Sequence, residues 1–215
     1  MIRKLNVPLI DLEGKDLDTV LETEAASFHV DCVNWPQDFP YAPLCSGRIA
    51  RTHDALLVDF RVSGLDLRVR NFEDNGSQWE DSCVEFFVQD PDGSCYYNFE
   101  INALGKILSC SGADRHHRVC RSPREMEQIL RFAQNPTPTA ESPADWEGIH
   151  AWRVAVQIPF RLIGVNPERL PASLKANFYK CGDLTAHPHY LSWSPVGTAT
   201  PDFHRPEFFG ELTLQ

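Results

Sequence analysis

The sequence contains no P-loop, no GxGxxG, no HExxH and no GxSxG. The common signatures of phosphate cradles, dinucleotide folds, zinc proteases and serine hydrolases are therefore missing. No apolar run approaches the roughly 18 residues that a membrane-spanning helix needs. The start, MIRKLNVPLIDLEGKDLD, has basic residues but lacks the apolar stretch of a signal peptide. Positive charge is also scarce: 20 Lys and Arg stand against 30 Asp and Glu, giving a net charge of -10 and a pI near 5.2. An acidic chain repels phosphate backbones and anionic lipid surfaces, so neither nucleic acid nor membrane is expected as a partner. A complete chain of this kind would be cytoplasmic, and one that had lost a leader would be secreted or periplasmic.

Cysteine is present in an unhelpful number. Cys32, Cys45, Cys83, Cys95, Cys110, Cys120 and Cys181 form no CxxC pair. An odd count at irregular spacing is not a disulfide framework, so buried reduced thiols are expected. Cys181, His187 and His189 offer zinc-ligating atoms, and alternate spacing puts both histidines on one strand face, but no fourth ligand lies nearby in sequence. No metal ligand set and no cofactor is expected. The turn Asp90-Pro91-Asp92-Gly93 is too short for an EF-hand loop, which leaves a structural calcium there without support.

What the chain does have is period-two patterning. Residues 56–63 and 65–70 alternate apolar and polar, as do 152–158, 189–193 and 208–214. In residues 82–89, Val84, Phe86 and Val88 share one face, and Glu85 and Gln89 the other. In residues 96–102, Tyr97, Phe99 and Ile101 oppose Asn98, Glu100 and Asn102. The Asp92-Gly93 turn joins these two runs into a hairpin. Asn75-Gly76, Gly105 and Gly197 mark further turns. Many short strands in a 215-residue chain of 42% hydrophobic composition imply one all-β domain over 1–215, an antiparallel β-sandwich. One or two short peripheral helices interrupt it. Ser122-Pro123-Arg124-Glu125 reads as a capped helix start, followed by a stripe of Met126, Ile129, Leu130 and Ala133 and ended by Asn135-Pro136. Residues 16–24 suggest a second helix, and 135–148, rich in Pro, Thr and Ser, a surface loop.

Three stretches hold candidate chemistry. Trp79 precedes the 82–89 strand, where its ring can stand at a sheet rim. If the polar faces of the hairpin coincide, Glu85, Asn98, Glu100 and Asn102 line one surface beneath that ring. Aromatic faces stack on pyranose C–H bonds while carboxylates and amides take hydroxyls, so this is the chemistry of a sugar site. The plainer alternative makes Trp79 a rim core residue and the carboxylates solvated strand positions. The second stretch holds Trp193 and the aromatic loop Phe203-His204-Arg205-Pro206-Glu207-Phe208, a rigid binding wall or else a plug for the sandwich end. The third is the Cys181 to His189 segment weighed above for zinc, more simply a loop leading into a strand, whereas His116-His117 beside Arg115 and Arg118 reads as a polar surface loop.

These residues carry a resemblance. Trp79-Glu-Asp-Ser-Cys-Val-Glu85-Phe-Phe with Tyr96-Tyr-Asn-Phe-Glu-Ile-Asn102-Ala-Leu-Gly105 resembles the central hairpin of the family 9 carbohydrate-binding modules, in the wider DOMON-like group. Asn34-Trp35-Pro36, Ile158-Pro159, Asn177 to Asp183 and Asp202 to Gly210 are similar to one branch of it, so the likeness spans about residues 30–215. It implies a jelly-roll or immunoglobulin-like sandwich that holds an oligosaccharide or polysaccharide end of the glucan or xylan class, without catalysis, in support of polysaccharide degradation. The family's first sandwich tryptophan maps onto Trp79 and its glutamate onto Glu85. Phe203 or His204 stands where a second tryptophan is usual, and Glu100 or Asn102 where an arginine is usual. The resemblance implies xylanase-associated partners of unknown identity. Two alternatives remain at this level. Glu85 and Glu100 would serve as the carboxylate pair of a glycoside hydrolase, and a DOMON-type haem site would draw axial ligands from His and from the two methionines, Met1 and Met126.

Overall fold

The structure, a computed structural model, describes residues 2–134 and 138–215. Among them are fourteen strands: β1 (Lys4–Val7), β2 (Ala26–His29), β3 (Cys32–Val33), β4 (Leu44–Arg51), β5 (Ala55–Val69), β6 (Cys83–Gln89), β7 (Tyr96–Asn102), β8 (Ile107–Gly112), β9 (Arg118–Cys120), β10 (Leu130–Gln134), β11 (Ala144–Pro159), β12 (Ser173–Cys181), β13 (Tyr190–Ser192) and β14 (Gly210–Leu214). Two short helices, α1 (Leu17–Thr23) and α2 (Pro123–Met126), accompany them. No helix is long and apolar enough to cross a membrane.

The strands form two sheets packed face to face. The larger runs β1-β14-β12-β6-β7-β8-β9, with β13 bridging β12 and β3, and the smaller runs β10-β11-β5-β4-β2. All pairings are antiparallel except β1 with β14. This is the expected all-β sandwich, and its core follows from alternation. Val84, Phe86 and Val88 of β6, Phe99 and Ile101 of β7, and Phe178 of β12 point inward, where they meet Phe28, Val58, Phe60, Val154 and Val156 of the opposite sheet. Phe28 stacks on Phe178 with centroids 3.9 Å apart and meets Phe60 edge-on at 5.5 Å. Gly47 is required beneath this cluster, since a Cβ there would lie 2.3 Å from the Phe28 ring.

The helices are shorter than their sequence patterns. α1 forms as expected, capped by Asp16, whose side chain accepts the Thr19 N–H at 2.9 Å. Its Val20 and Leu21 pack on Ile10, Ala50 and Leu57. The Ser122 cap also forms, with the Glu125 carboxylate accepting the Ser122 N–H at 2.8 Å. The helix stops at Met126, however. Met126 and Ile129 enter the core, while Leu130 and Ala133, expected on the same stripe, stand exposed on β10. Pairing along β11, which gives each β10 residue a ladder partner, outweighs the helical spacing. Arg131 pins the crossover by donating to Asp74 at 2.7 Å and to the Met126 carbonyl at 2.9 Å. The expected loop over 135–148 is likewise shortened, because Ala144 already pairs with Val69. Asn135-Pro136 lies outside the described residues.

The cysteine expectation needs one correction. Cys110 and Cys120, direct partners across β8 and β9, form a disulfide. Cys45, Cys83 and Cys181 are buried thiols, and Cys32 and Cys95 are half-buried.

The outer face of the smaller sheet holds a buried carboxylate. Asp59 is fully buried and accepts from Arg153 Nε at 2.6 Å and Arg61 Nε at 3.1 Å. Arg153 continues to Asp18 at 2.8 Å, and Arg48 to Glu22 at 2.9 Å, so this network fastens α1 to the sheet. Removing the shared carboxylate leaves two cations without a buried partner. Asp59→Ala is expected to lower unfolding free energy by about 3–5 kcal/mol, measured as a fall in denaturant midpoint at unchanged slope.

Candidate functional site

The larger sheet has a second buried face. Its outer side chains, among them Phe87, Tyr96, Tyr179 and Phe209, are covered by residues from the segments 34–43 and 182–209, including Trp35, Val196 and Phe203. The cover is incomplete. It leaves a cavity of about 220 Å³ lined by Trp79, Tyr190, Phe203 and His204 above the carboxyls of Glu85 and Glu100. That volume lies just under the roughly 300–1,000 Å³ typical of drug-sized ligands, which suits an occupant of one or two rings.

Trp79 stands on the single 3-10 turn Gln78–Glu80 and keeps 37% of its surface exposed. The turn is fixed from behind by Asp81. The Asp81 carboxylate accepts the N–H groups of Arg70 at 2.9 Å and Asn71 at 3.0 Å, and the Asn102 amide at 3.1 Å. On the other side, the Trp79 carbonyl accepts the Asp183 N–H at 3.0 Å. The tryptophan is thus held at both edges while its ring stays free.

The floor comes from the β6–β7 register. Glu85 and Glu100 are direct partners, 3% and 4% exposed. Glu85 accepts from the Cys181 thiol at 3.0 Å. Glu100 accepts from the Asn98 amide at 3.0 Å, with Arg118 at 3.9 Å and His204 Nε2 at 4.0 Å from the same oxygen. Burial holds the Glu85 carboxyl well above the usual carboxylate range, reinforced by the charge of Glu100. Burial also pushes Glu100 up to about 7, opposed by Arg118 and Arg115. Asp183, at the cavity edge, rises to about 6 for the same reason. His204 is driven the other way, to about 3, first by burial and then by Arg118 and Arg115. The ring is therefore neutral near pH 7. Its Nδ1 lies 2.8 Å from the Tyr96 hydroxyl. Burial pushes that phenol up to about 12, so it keeps its proton, and the bond orients Nε2 toward Glu100 and the cavity.

Of the expected site residues, Trp79, Glu85, Glu100, Phe203 and His204 line the cavity. One face of Phe203 is occupied, stacked on Tyr179 at 4.1 Å. Asn98 lies one layer behind, bridging Glu100 and Arg118. Asn102 is not in the cavity. Its amide serves Asn71 and Asp81 behind the Trp79 turn, and its oxygen accepts the N–H groups of Leu104 and Lys106 in the β7–β8 turn, so both polar atoms are committed to turns. Trp193 is also displaced from the expected wall. It points into the sandwich core, edge-on to Phe178 at 5.4 Å and against Gly210, where a Cβ would lie 2.3 Å from the indole.

Some lining residues escaped the sequence pattern. Arg115 and Arg118, expected on a polar surface loop, reach the cavity because the disulfide-linked β8–β9 hairpin folds beside β7. Asp183, Tyr190 and Asp202 arrive on the covering segment. Flanking cysteines around the arginines were the one available signal. The zinc-like stretch does not converge: His187 Nδ1 lies 3.1 Å from Asp66, and His189 Nε2 lies 2.7 Å from Lys180 Nζ on the core side. Met126, one of the two methionines weighed as haem ligands, is 3% exposed in the core.

A covered sandwich face with one aromatic-rimmed, carboxyl-floored cavity defines a small-ligand binding module. The chain belongs to carbohydrate-binding family 9, whose model matches residues 15–214. It is similar over its whole length, and over all of the other chain, to a crystal structure from Bacteroides uniformis with an inferred carbohydrate-binding assignment, at 32% identity and a TM-score of 0.88. Two structures of a family 9 module from Caldicellulosiruptor kristjanssonii share the fold at 11% identity. The glucose complex has a TM-score of 0.62, covering 99% of this chain and 96% of that one, and the cellotriose complex has 0.60, covering 99% and 94%. No curated protein matches the chain.

The raised Glu100 carboxyl has a measurable consequence. An unfolded glutamate titrates near 4.5 and the native one at about 7. Between those values the native state holds a proton that the unfolded state releases, so this contribution to stability is full below pH 4.5 and is lost as pH rises through 7. Glu100→Gln, which mimics the protonated group, is expected to flatten the stability–pH profile relative to wild type across that window, by a slope of up to about 1.4 kcal/mol per pH unit. Denaturant titrations at matched pH values measure it.

Proposed function

We propose that this chain binds carbohydrate without catalysing its cleavage, taking the end of an oligosaccharide or polysaccharide of the glucan or xylan class. One observation carries the reading: a tethered Trp79 whose ring remains exposed above two buried carboxyls. A pyranose ring stacks its C–H face on the indole. Its hydroxyls then reach Glu85, Glu100 and the Nε2 of His204, while Arg118 stays near Glu100 as a counter-charge. The cavity size favours one or two sugar rings, hence a chain end rather than a run of residues. Such a ligand buries little surface, and dissociation constants between micromolar and millimolar correspond to about 4–8 kcal/mol. Support of polysaccharide degradation, beside a hydrolase that acts on the same glycan, is the biological role that fits a binding function of this strength.

Calorimetry with xylo-, cello- and manno-oligosaccharides, each native and borohydride-reduced, tests the proposal. Binding to one series is expected, with loss on reduction if the reducing end is the part captured. Trp79→Ala is expected to weaken that binding by about tenfold, since an aromatic contact contributes about 0.5–1.5 kcal/mol and tenfold is about 1.4 kcal/mol. Unchanged binding in this variant would overturn the site assignment. Aryl-glycoside turnover by the wild type, abolished in Glu85→Gln, would overturn the non-catalytic reading.

A further inference from the structure

At the cavity floor lie two thiols, packed among the aromatic side chains of that face, to which sugar recognition assigns no role. Cys83, Glu85 and Cys181 place two sulfurs and a carboxylate oxygen within 4.8 Å of one another. All three are buried, at 0%, 3% and 1% exposure. Strand register brings them together. Cys83 and Glu85 are two residues apart on β6 and share a face, and Cys181 is the direct partner of Cys83 on β12. The Cys181 sulfur already lies 3.0 Å from Glu85 Oε1 and 3.8 Å from the Trp79 carbonyl. Glu85 and Cys181 border the cavity, whereas Cys83 lies behind them.

Apolar packing accounts for the two sulfurs, which belong to the cluster around Phe87 and Tyr179, but not for the carboxyl beside them. A carboxyl pressed against two thiols gives up hydration and gains only weak sulfur hydrogen bonds in return. Metal ligation does explain it. A tetrahedral zinc ion with Zn–S near 2.3 Å and Zn–O near 2.0–2.2 Å sets its ligand atoms about 3.5–3.8 Å apart. The observed spread, within 4.8 Å, is about 1 Å wider than that. Thiolate donors select zinc over calcium or magnesium, which prefer all-oxygen shells.

We propose that Cys83, Cys181 and Glu85 bind one zinc-class divalent ion, with its fourth position facing the cavity. Binding exchanges protons for metal: both thiols and the Glu85 carboxyl give their protons to solvent, the ion sheds three waters, two metal–sulfur bonds and one metal–oxygen bond form, and no oxidant or reductant is needed. The fourth position takes water or a hydroxyl of whatever occupies the cavity. The assignment stands on these three residues; it shares Glu85 with the sugar reading, and a metal titration carried out without sugar tests it separately.

Cobalt titration of the reduced, metal-free full chain tests it. One equivalent of Co²⁺ is expected to produce the strong d–d bands of a tetrahedral ion and a sulfur-to-cobalt charge-transfer band, both bleached by one equivalent of Zn²⁺. Cys83→Ser and Cys181→Ser are each expected to lose the charge-transfer intensity, with circular dichroism confirming that they fold. Cys32→Ser, a half-buried thiol outside the cluster, is expected to retain it. Absence of these bands in the wild type would overturn the assignment without any variant. Bands that persist in both Cys83→Ser and Cys181→Ser would do the same. Sugar binding measured on the metal-free protein is a separate outcome and leaves this one unchanged.

Discussion

Strand β6 has no wet face, and the rest of the molecule is arranged around that constraint. One side of β6 supplies Val84, Phe86 and Val88 to the sandwich core, and the other supplies Cys83, Glu85 and Phe87 to the space under the covering segments. A polar group on a strand buried twice must find its partners inside protein, because an unpaired one costs several times what an ordinary hydrogen bond contributes. Glu85 takes the Cys181 thiol, and its neighbour Glu100 takes Asn98 with Arg118 nearby. The site is the remainder of this arrangement, a place where buried carboxyls are held but not fully surrounded. Their raised proton affinity follows from the same incomplete solvation.

The aromatic cover is the second layer of that design. Trp35, Tyr179, Tyr190 and Phe203 pack together, with Phe203 flat on Tyr179 and Tyr190 edge-on to Trp35 and Phe203, so outside β13 the covering segment is anchored by apolar burial. Trp35 adds a hydrogen bond from its indole to the Thr198 carbonyl at 2.8 Å. A loop fixed this firmly presents His204 at a defined position outside any strand, while Tyr190 is set by β13, where it pairs with Cys181. Trp79 is held by different means, a polar knot of Asp81, Asn71 and Asn102. Stacking surface and hydrogen-bonding floor therefore rest on different interactions, coupled through Asp81 into β6, through the Asn102 amide of β7 and through the Asp183 N–H on the Trp79 carbonyl.

Asn102 illustrates how two roles can look alike in sequence. It alternates in phase with Asn98 and Glu100, and period two puts all three on one face. They do share that face. Yet β7 ends at Asn102, where a turn returns the chain through Gly105, and the side chain meets the open N–H groups of Leu104 and Lys106 instead of a cavity. Trp193 fails for the opposite reason. Its neighbours Pro195 and Pro201 suggest an exposed wall, but its own N–H donates to the Phe178 carbonyl, which turns the indole inward over Gly210. Helix propensity misled in a third way. Ser122 and Glu125 do cap a helix, but capping sets only where one starts, and the edge of β11 decided where it stopped.

The sequence by itself determined the sandwich, the 82–102 hairpin and the pairing of Trp79 with Glu85 and Glu100. Alternation and turn chemistry are local properties, read within a few residues of each other. Only the tertiary structure decided that the polar face of β6 would be buried, that Arg115 and Arg118 would swing in beside it, and that Cys83 would meet Cys181 from almost a hundred residues away. Those are contacts between distant segments. They depend on register between strands and on which loop covers which face, and no pattern within a single strand encodes either.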